Sequence, residues 1–225
     1  MVLKWYDSLK EPSSTNIRGM SKTATRTRGR PAGSTGDELL DVARGVFLEF
    51  GYRGASMDEV AKRAKISKSS LYREHSSKKA LYAAVVHAWA RAGRDAMRPS
   101  LERLRGSGDL RSRLIELAQT MRAGILSPPV LEMRRLVTAE AQSQPEVARV
   151  YLEESWNSNI RNLGKALGEI ADGGELRIDD PDAAAAQFTW LVIGAPLNAR
   201  LLSAVVDEPP VETAVDLFLA GYAPR

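Results

Sequence analysis

An all-α fold is predicted for this chain of 225 residues by three observations. Apolar residues recur at helical spacing from about residue 35 to the C-terminal end. No run alternates convincingly as a strand does. Capping residues, prolines and glycines punctuate the pattern at intervals of one helix each. With 44% apolar residues the chain has enough material for two cores.

Taken in order, the first helix is predicted over Thr35 to Phe50. Thr35 and Glu38 form a capping box, Leu39, Val42, Ala43, Val46, Phe47 and Phe50 supply a buried stripe, and Gly51 ends the helix. Ser56 with Glu59 marks the next start, and Val60 and Ala61 give it an apolar stripe. Ala64-Lys65-Ile66 makes a turn, after which Ser67 caps a third helix whose Leu71 falls back onto the same core. A long helix follows from about Ser77 to Met97, ended by Pro99 and the Gly106-Ser107-Gly108 loop, and another runs from Asp109 to Leu126 before Pro128-Pro129. A shorter helix ends near Gln144. Ser143, Pro145 and Glu146 open a long helix that stops at Asp172-Gly173-Gly174; Asp180-Pro181 caps the next, and Pro209-Pro210 introduces the last.

The segment from Ser56 to Leu81 decides the kind of chemistry. A capped helix, a three-residue turn and a second helix with Lys68, Ser69, Tyr72 and Arg73 left outside form a helix-turn-helix, whose second helix enters the DNA major groove. An αα-hairpin with a merely solvated face has the same spacing, so two further features carry weight. Ahead of the hairpin, Lys22 to Ser34 has no apolar periodicity, and its Arg28-Gly29-Arg30-Pro31 resembles the core of an AT-hook, in which guanidiniums enter the narrow minor groove of A·T tracts. Charge is also polarised. Residues 1–79 hold 16 Lys/Arg against 9 Asp/Glu, net +7, and residues 80–225 hold 16 against 19, net −3, so a polyanion is steered to one end only.

The stretch from about Gly29 to Val86 resembles the DNA-binding domain of the TetR family of bacterial one-component transcriptional regulators. That family's usual run, Ser-Lys-Gly-Thr-Leu-Tyr-x-His-Phe-x-Ser-Lys-Glu-x-Leu, is matched in frame by Ser67-Lys68-Ser69-Ser70-Leu71-Tyr72-Arg73-Glu74-His75-Ser76-Ser77-Lys78-Lys79-Ala80-Leu81. The resemblance carries over at Lys68, Ser70, Tyr72 and Lys78 and breaks at Glu74-His75, where His then Phe is usual. Glu74 is expected to pair with Lys78 rather than read a cytosine, and His75 to pack at the core edge. Expected DNA contacts are Arg28, Arg30, Ser56, Ser67, Lys68, Ser69, Ser70, Tyr72, Arg73 and Lys78.

The resulting organisation is a basic arm (1–33), a helix-turn-helix domain (34–80) and a helical domain for ligand binding and dimerisation (81–225). Val211, Ala214, Val215, Phe218 and Tyr222 form one stripe of the last helix, which together with the small, apolar helix before it suits a four-helix interface between two copies; the resemblance implies the same. Two reading helices about 34 Å apart then demand a roughly palindromic operator. Met121, Ile125, Met133, Leu136, Trp156, Phe188, Trp190 and Val192 are candidate walls for a small apolar effector, with Asn157, Asn159, Gln119 or Glu140 to orient it, and Trp156 and Trp190 foremost among them.

Several classes are disfavoured. Cysteine is absent, which removes disulfides, thiolate metal sites and a cysteine nucleophile, and no cofactor is expected. An α-helical enzyme would have only His75 and His87 to work with, in no nucleophile-base or metal-ligand spacing. Lys4, Asp7, Lys10 and Glu11 argue against a secretory signal, and Gln187, Thr189, Asn198 and Arg200 against a membrane span at Ala183–Val206, so a cytoplasmic protein is expected. A sequence-independent DNA-architectural protein using the arm remains the rival within DNA binding.

Overall fold

The computed structural model describes residues 34–204 and 207–224. Among these the chain is helical throughout, with no strand: α1 (Asp37–Gly54), α2 (Met57–Arg63), α3 (Lys68–Glu74), α4 (Lys78–Leu104), α5 (Leu110–Ile125), α6 (Pro128–Glu140), α7 (Pro145–Tyr151), a π-helical stretch (Leu152–Asn157), α8 (Ser158–Asp172), α9 (Pro181–Leu201) and α10 (Val211–Tyr222).

The first core gathers Leu39, Ala43, Val46 and Phe47 of α1, Val60 and Ala61 of α2, Leu71 of α3 and Leu81, Tyr82 and Val85 of α4, all buried. Of the stripe the spacing predicts, Val42 is only half-buried and, at the end, Phe50 is 44% exposed and lies under the Arg63 guanidinium, 5.2 Å away. The capping box at Thr35–Glu38 does not form. Gly36 occupies the N-cap and has no side chain to cap with. Gly51 does interrupt α1, at φ 66° and ψ 171°, a conformation open essentially to glycine alone, before one more turn reaches Gly54.

The second core is built by α5, α8, α9, α10 and the end of α4, with Leu114, Leu117, Ala118, Leu167, Phe188, Val192, Ile193 and Phe218 among its buried members. The backbones of α8 and α9 come very close at Gly164, where a Cβ would sit 2.3 Å from Asp182 Oδ1 and 3.2 Å from the Pro181 carbonyl. Pro99 does not stop α4, which continues to Leu104. Its missing N–H orphans the carbonyl of Asp95, an exposed residue that water can serve. Asp109 and Asp180 cap α5 and α9 through the N–H groups of Ser112 and Ala183, at 2.9 Å and 3.0 Å. Ser143, by contrast, turns back to Glu140 and leaves the α7 N-cap to Gln144.

Residues 34–225 form one compact unit. The reason is α1, which packs on α4 and on α6, so the reading head has no hinge of its own behind it.

Candidate nucleic-acid interface

Ser56 caps α2 by accepting from the Glu59 N–H at 3.1 Å. The reciprocal half of the box is replaced, because the Glu59 carboxylate goes to Arg63 Nε (2.6 Å), and the same guanidinium forks onto Glu49 (2.6 and 3.2 Å). This triad fastens α2 to α1. It holds the Glu49 carboxyl below its ordinary range, through the Arg63 hydrogen bond first, and pushes the Arg63 guanidinium up through its bonds to Glu49 and then Glu59.

The turn is a Schellman motif. The Ile66 N–H reaches the Ala61 carbonyl (3.1 Å) and the Lys65 N–H reaches that of Lys62 (3.2 Å). The motif places Lys65 at φ 57°, left-handed backbone that glycine usually supplies. Ser67 then caps α3, accepting from the Ser70 N–H at 3.0 Å, and buried Leu71 anchors the helix.

This scaffold brings most of the predicted contacts onto one surface but assigns them unequal freedom. Ser69, Arg73 and Tyr72, the last 42% exposed, stand on the outer face of α3. Ser67 is engaged at the cap with both Ser69 and Ser70, its Oγ 2.9 and 2.8 Å from theirs. Lys68 reaches across the turn to Asp58, 2.6 Å away, and that hydrogen bond raises its pKa. Lys78 is committed elsewhere: its ammonium donates to the carbonyls of Arg53 (3.1 Å) and Ala55 (2.9 Å) and lies 4.8 Å from the Tyr52 ring centroid. The expected Lys78–Glu74 pair is therefore absent, because Lys78 is drawn to the carbonyls exposed by the break at Gly51; Glu74 stays at the surface. His75 is half-buried as the C-cap of α3. Arg28 and Arg30 lie outside the described residues.

Two models of known families match the chain, that for bacterial regulatory proteins of the tetR family over residues 39–85 and that for the C-terminal domain of AefR-like transcriptional repressors over residues 112–224. The chain belongs to the TetR family of transcriptional regulators. TetR regulators bind DNA and act as dimers, and neither the families matched nor the structural neighbours are enzymes. Over 77 residues the chain is 42% identical to the HTH-type transcriptional activator FasR of Mycolicibacterium smegmatis, covering 34% of this chain and 32% of FasR. Over 46 residues it is 44% identical to the negative regulator IcaR of the Staphylococcus aureus biofilm operon, covering 20% and 25%. The chain thus spans only about a third or less of the length of these curated relatives. A TetR-family regulator from Mesorhizobium loti shares the fold with TM-score 0.79 at 24% identity, over 83% of this chain and 96% of that one. The flavonoid-responsive regulator FrrA superposes with TM-score 0.67 at 28% identity, over 84% and 97%.

Behind the head of this TetR regulator, the proposed effector walls separate into groups. Phe188, Val192 and Met133 are fully buried, Met121 and Leu136 nearly so, and Phe188, Val192 and Met121 belong to the second core. Ile125 and Trp156 pack partly buried against it. Trp190 is 51% exposed, its ring 5.2 Å from that of Trp156, so it covers Trp156 from outside rather than lining an interior. The stripe Val211, Ala214, Val215 and Phe218 likewise faces the chain's own core. The surface that α9 and α10 leave uncovered carries Trp190, Leu191 and Leu217, the last 61% exposed, beside Ala195. A separate, open cavity of about 490 Å³, lined by Gln119, Arg122, Ala123, Leu126, Arg200, Glu208, Val211 and Glu212, mixes charged and apolar walls; it includes none of the eight candidates and, of the expected orienting groups, only Gln119. Arg122 braces it, donating to the carbonyls of Pro209 (2.5 Å) and Val192 (3.0 Å).

Among the described residues no group of three or more His, Asp or Glu side chains is placed to hold a metal ion, and no helix is long and apolar enough to cross a membrane. Sequence reasoning missed the roles of Asp58 and Arg63. Acidic residues opening α2 and a basic residue ending it were visible as dipole partners, but only the fold brings Asp58 to Lys68 and Glu49 to Arg63.

Proposed function

We propose that this TetR regulator is a dimeric, ligand-released repressor of a palindromic operator. The observation that carries the proposal is the docking of α1 on both α4 and α6: a head without its own hinge moves only when the helices behind it move. In this reading Ser69, Tyr72 and Arg73 meet base edges and phosphates in the major groove, Lys68 exchanges Asp58 for a phosphate, and Arg28 and Arg30 follow the adjacent minor groove. The exposed Trp190, Leu191 and Leu217 face of α9 and α10 meets its copy in the dimer, since contiguous exposed apolar side chains mark association surfaces. A small molecule bound between the middle helices tilts α4 and α6 and changes the spacing of the two heads, acting through its differential affinity for the two states. The response to flavonoids of FrrA, a neighbour over most of both chains, supports a ligand-responsive reading.

The test is a mobility-shift titration with a palindromic site from upstream of the protein's own coding sequence, against random duplex across a salt series. Saturable, sequence-dependent binding at physiological salt is expected; equal binding to both duplexes would assign the chain to sequence-independent DNA architecture instead. Tyr72→Ala is expected to weaken every operator while leaving a dimer in sedimentation, and a monomeric Tyr72→Ala would show that the residue supports the fold.

A further inference from the structure

Among the described residues seven buried side-chain N and O atoms lack a hydrogen-bond partner; Arg113 Nε and Arg122 Nε lie on α5, and the other five fall on elements grouped around α4 and α6. Tyr82 Oη on α4, Arg134 Nε on α6, Gln144 Oε1 between α6 and α7, Glu154 Oε2 on the π-helical stretch and Asn159 Oδ1 on α8 are all of this kind. The elements involved pack together: α4 contacts α7, the π stretch and α8, and α6 contacts α7. Tyr82 and Gln144 are themselves more than nine-tenths buried. Native interiors leave few such atoms unserved, so a cluster of them marks a place where polar partners come from outside the chain.

The neighbouring contacts define what those partners are. Glu154 spends one oxygen on His87 Nε2 at 3.0 Å and keeps the other; Asn159 spends its amide on the Ser155 carbonyl at 2.7 Å and keeps its oxygen. With Gln144 this makes three acceptors wanting donors, beside one hydroxyl and one guanidinium N–H. The aromatic side is Trp156, with Arg134 4.8 Å over its ring and Trp190 behind it. Two carboxylates, Glu154 and the Glu140 that stands close enough to Tyr82 to help raise its pKa after burial, share these elements with Arg134, which disfavours an anion. A hydrocarbon or fatty chain would leave every one of these atoms dry and unpaired.

Resting on the reading of the chain as an effector-responsive regulator, we infer that the effector is a neutral, flat aromatic compound carrying several hydroxyl groups, its ring against Trp156 and its hydroxyls donated to Gln144, Glu154 and Asn159. This replaces the purely apolar guest that the residue types alone suggested.

Calorimetric titration of the full chain with 4′,5,7-trihydroxyflavone, unhydroxylated flavone and dodecanoate tests the assignment without DNA. The hydroxylated flavone is expected to bind at least about tenfold tighter than the other two, a difference one or two satisfied buried acceptors supply. That preference is expected to collapse toward unity in Glu154→Leu and in Asn159→Leu, which remove the acceptor oxygen, each checked for native helix content. Equal or tighter binding of flavone or dodecanoate, no binding of the hydroxylated compound, or a preference unchanged in both variants overturns the inference. A mobility shift run alongside separates the two claims. Loss of hydroxyl preference with operator binding intact leaves the regulator standing and removes only this ligand class, whereas failure to bind any operator removes the regulator reading itself.

Discussion

Lys78 is the position where the family resemblance and the structure give different answers, and one substitution decides between them. Lys78→Met keeps the aliphatic stem and removes the ammonium that donates to the Arg53 and Ala55 carbonyls. Hydrogen bonds to a charged group contribute about 1.5–3 kcal/mol each, and the cation above Tyr52 adds about 0.5–1 kcal/mol. The Arg53 carbonyl is at the surface and recovers water in the variant, while that of buried Ala55 does so only in part, so the net loss is about 2–3 kcal/mol, not the sum. For a unit of this size that corresponds to a fall of about 5–10 °C in Tm, read by circular dichroism at the helix band. At a temperature well below both transitions, the slope of log affinity against log salt for operator binding is expected to stay as in the parent. A phosphate contact would instead lower the slope by about one unit while leaving Tm in place. That second pattern would refute the structural assignment and restore Lys78 to the DNA surface.

Three other outcomes are expected. Lys65→Gly relieves left-handed backbone at φ 57°, which costs an L-residue about 1–2 kcal/mol; after the extra entropy of glycine in the unfolded chain, urea denaturation should show a gain of about 0.5–1 kcal/mol, and a loss would mean the Lys65 side chain holds the turn. Asp216 is held below its usual value by the Arg111 hydrogen bond that joins α5 to α10. A depressed carboxyl stabilises above its unfolded pKa and loses that contribution as pH falls through the folded one, so urea midpoints should drop below about pH 4 and Asp216→Asn should drop less steeply, equal slopes discounting the pair. Arg30→Ala is expected to weaken operators flanked by A·T pairs by about 1 kcal/mol or more and to spare G·C-flanked ones; equal losses in binding titrations would exclude a minor-groove role.

What was legible in the sequence was what depends on neighbours in the chain. Ser56, Ser67 and Asp180 cap the helices the spacing assigns to them, because an N-cap bond spans only three residues. Leu39, Ala43, Val46 and Phe47 are buried because a helix with one wet face has a readable period. The misses have the opposite character. Thr35 and Ser143 had the right partners at the right distance, yet Gly36 and Gln144 took the caps. Pro99 reads as a stop because sequence does not reveal that the orphaned carbonyl faces water. In α9 small and apolar residues run nearly all round, so period gives no inward face, and of the three candidate walls on it Phe188 and Val192 are buried while Trp190 is not. The π-helical stretch has no residue signature here at all; it adds one residue to a turn and rotates the side chains that follow it.

That rotation bears on how the head and the interior are coupled. Glu154 and Trp156 sit within the π stretch and Asn159 two residues beyond its end, so a change in winding there re-aims three of the groups assigned to the effector. Such bulges are marginal relative to α-helix and recur at functional sites. Their partners are His87 on α4 and Arg134 on α6, and these are the two helices on which α1 is seated. Tyr82, one of the unserved atoms, is also in ring contact with Phe47 of α1, centroids 5.2 Å apart. A guest that draws Glu154 away from His87, or bonds the Tyr82 hydroxyl, therefore acts on side chains already touching the base of the reading head. Between the assigned guest and α1 stands only one layer of side chains.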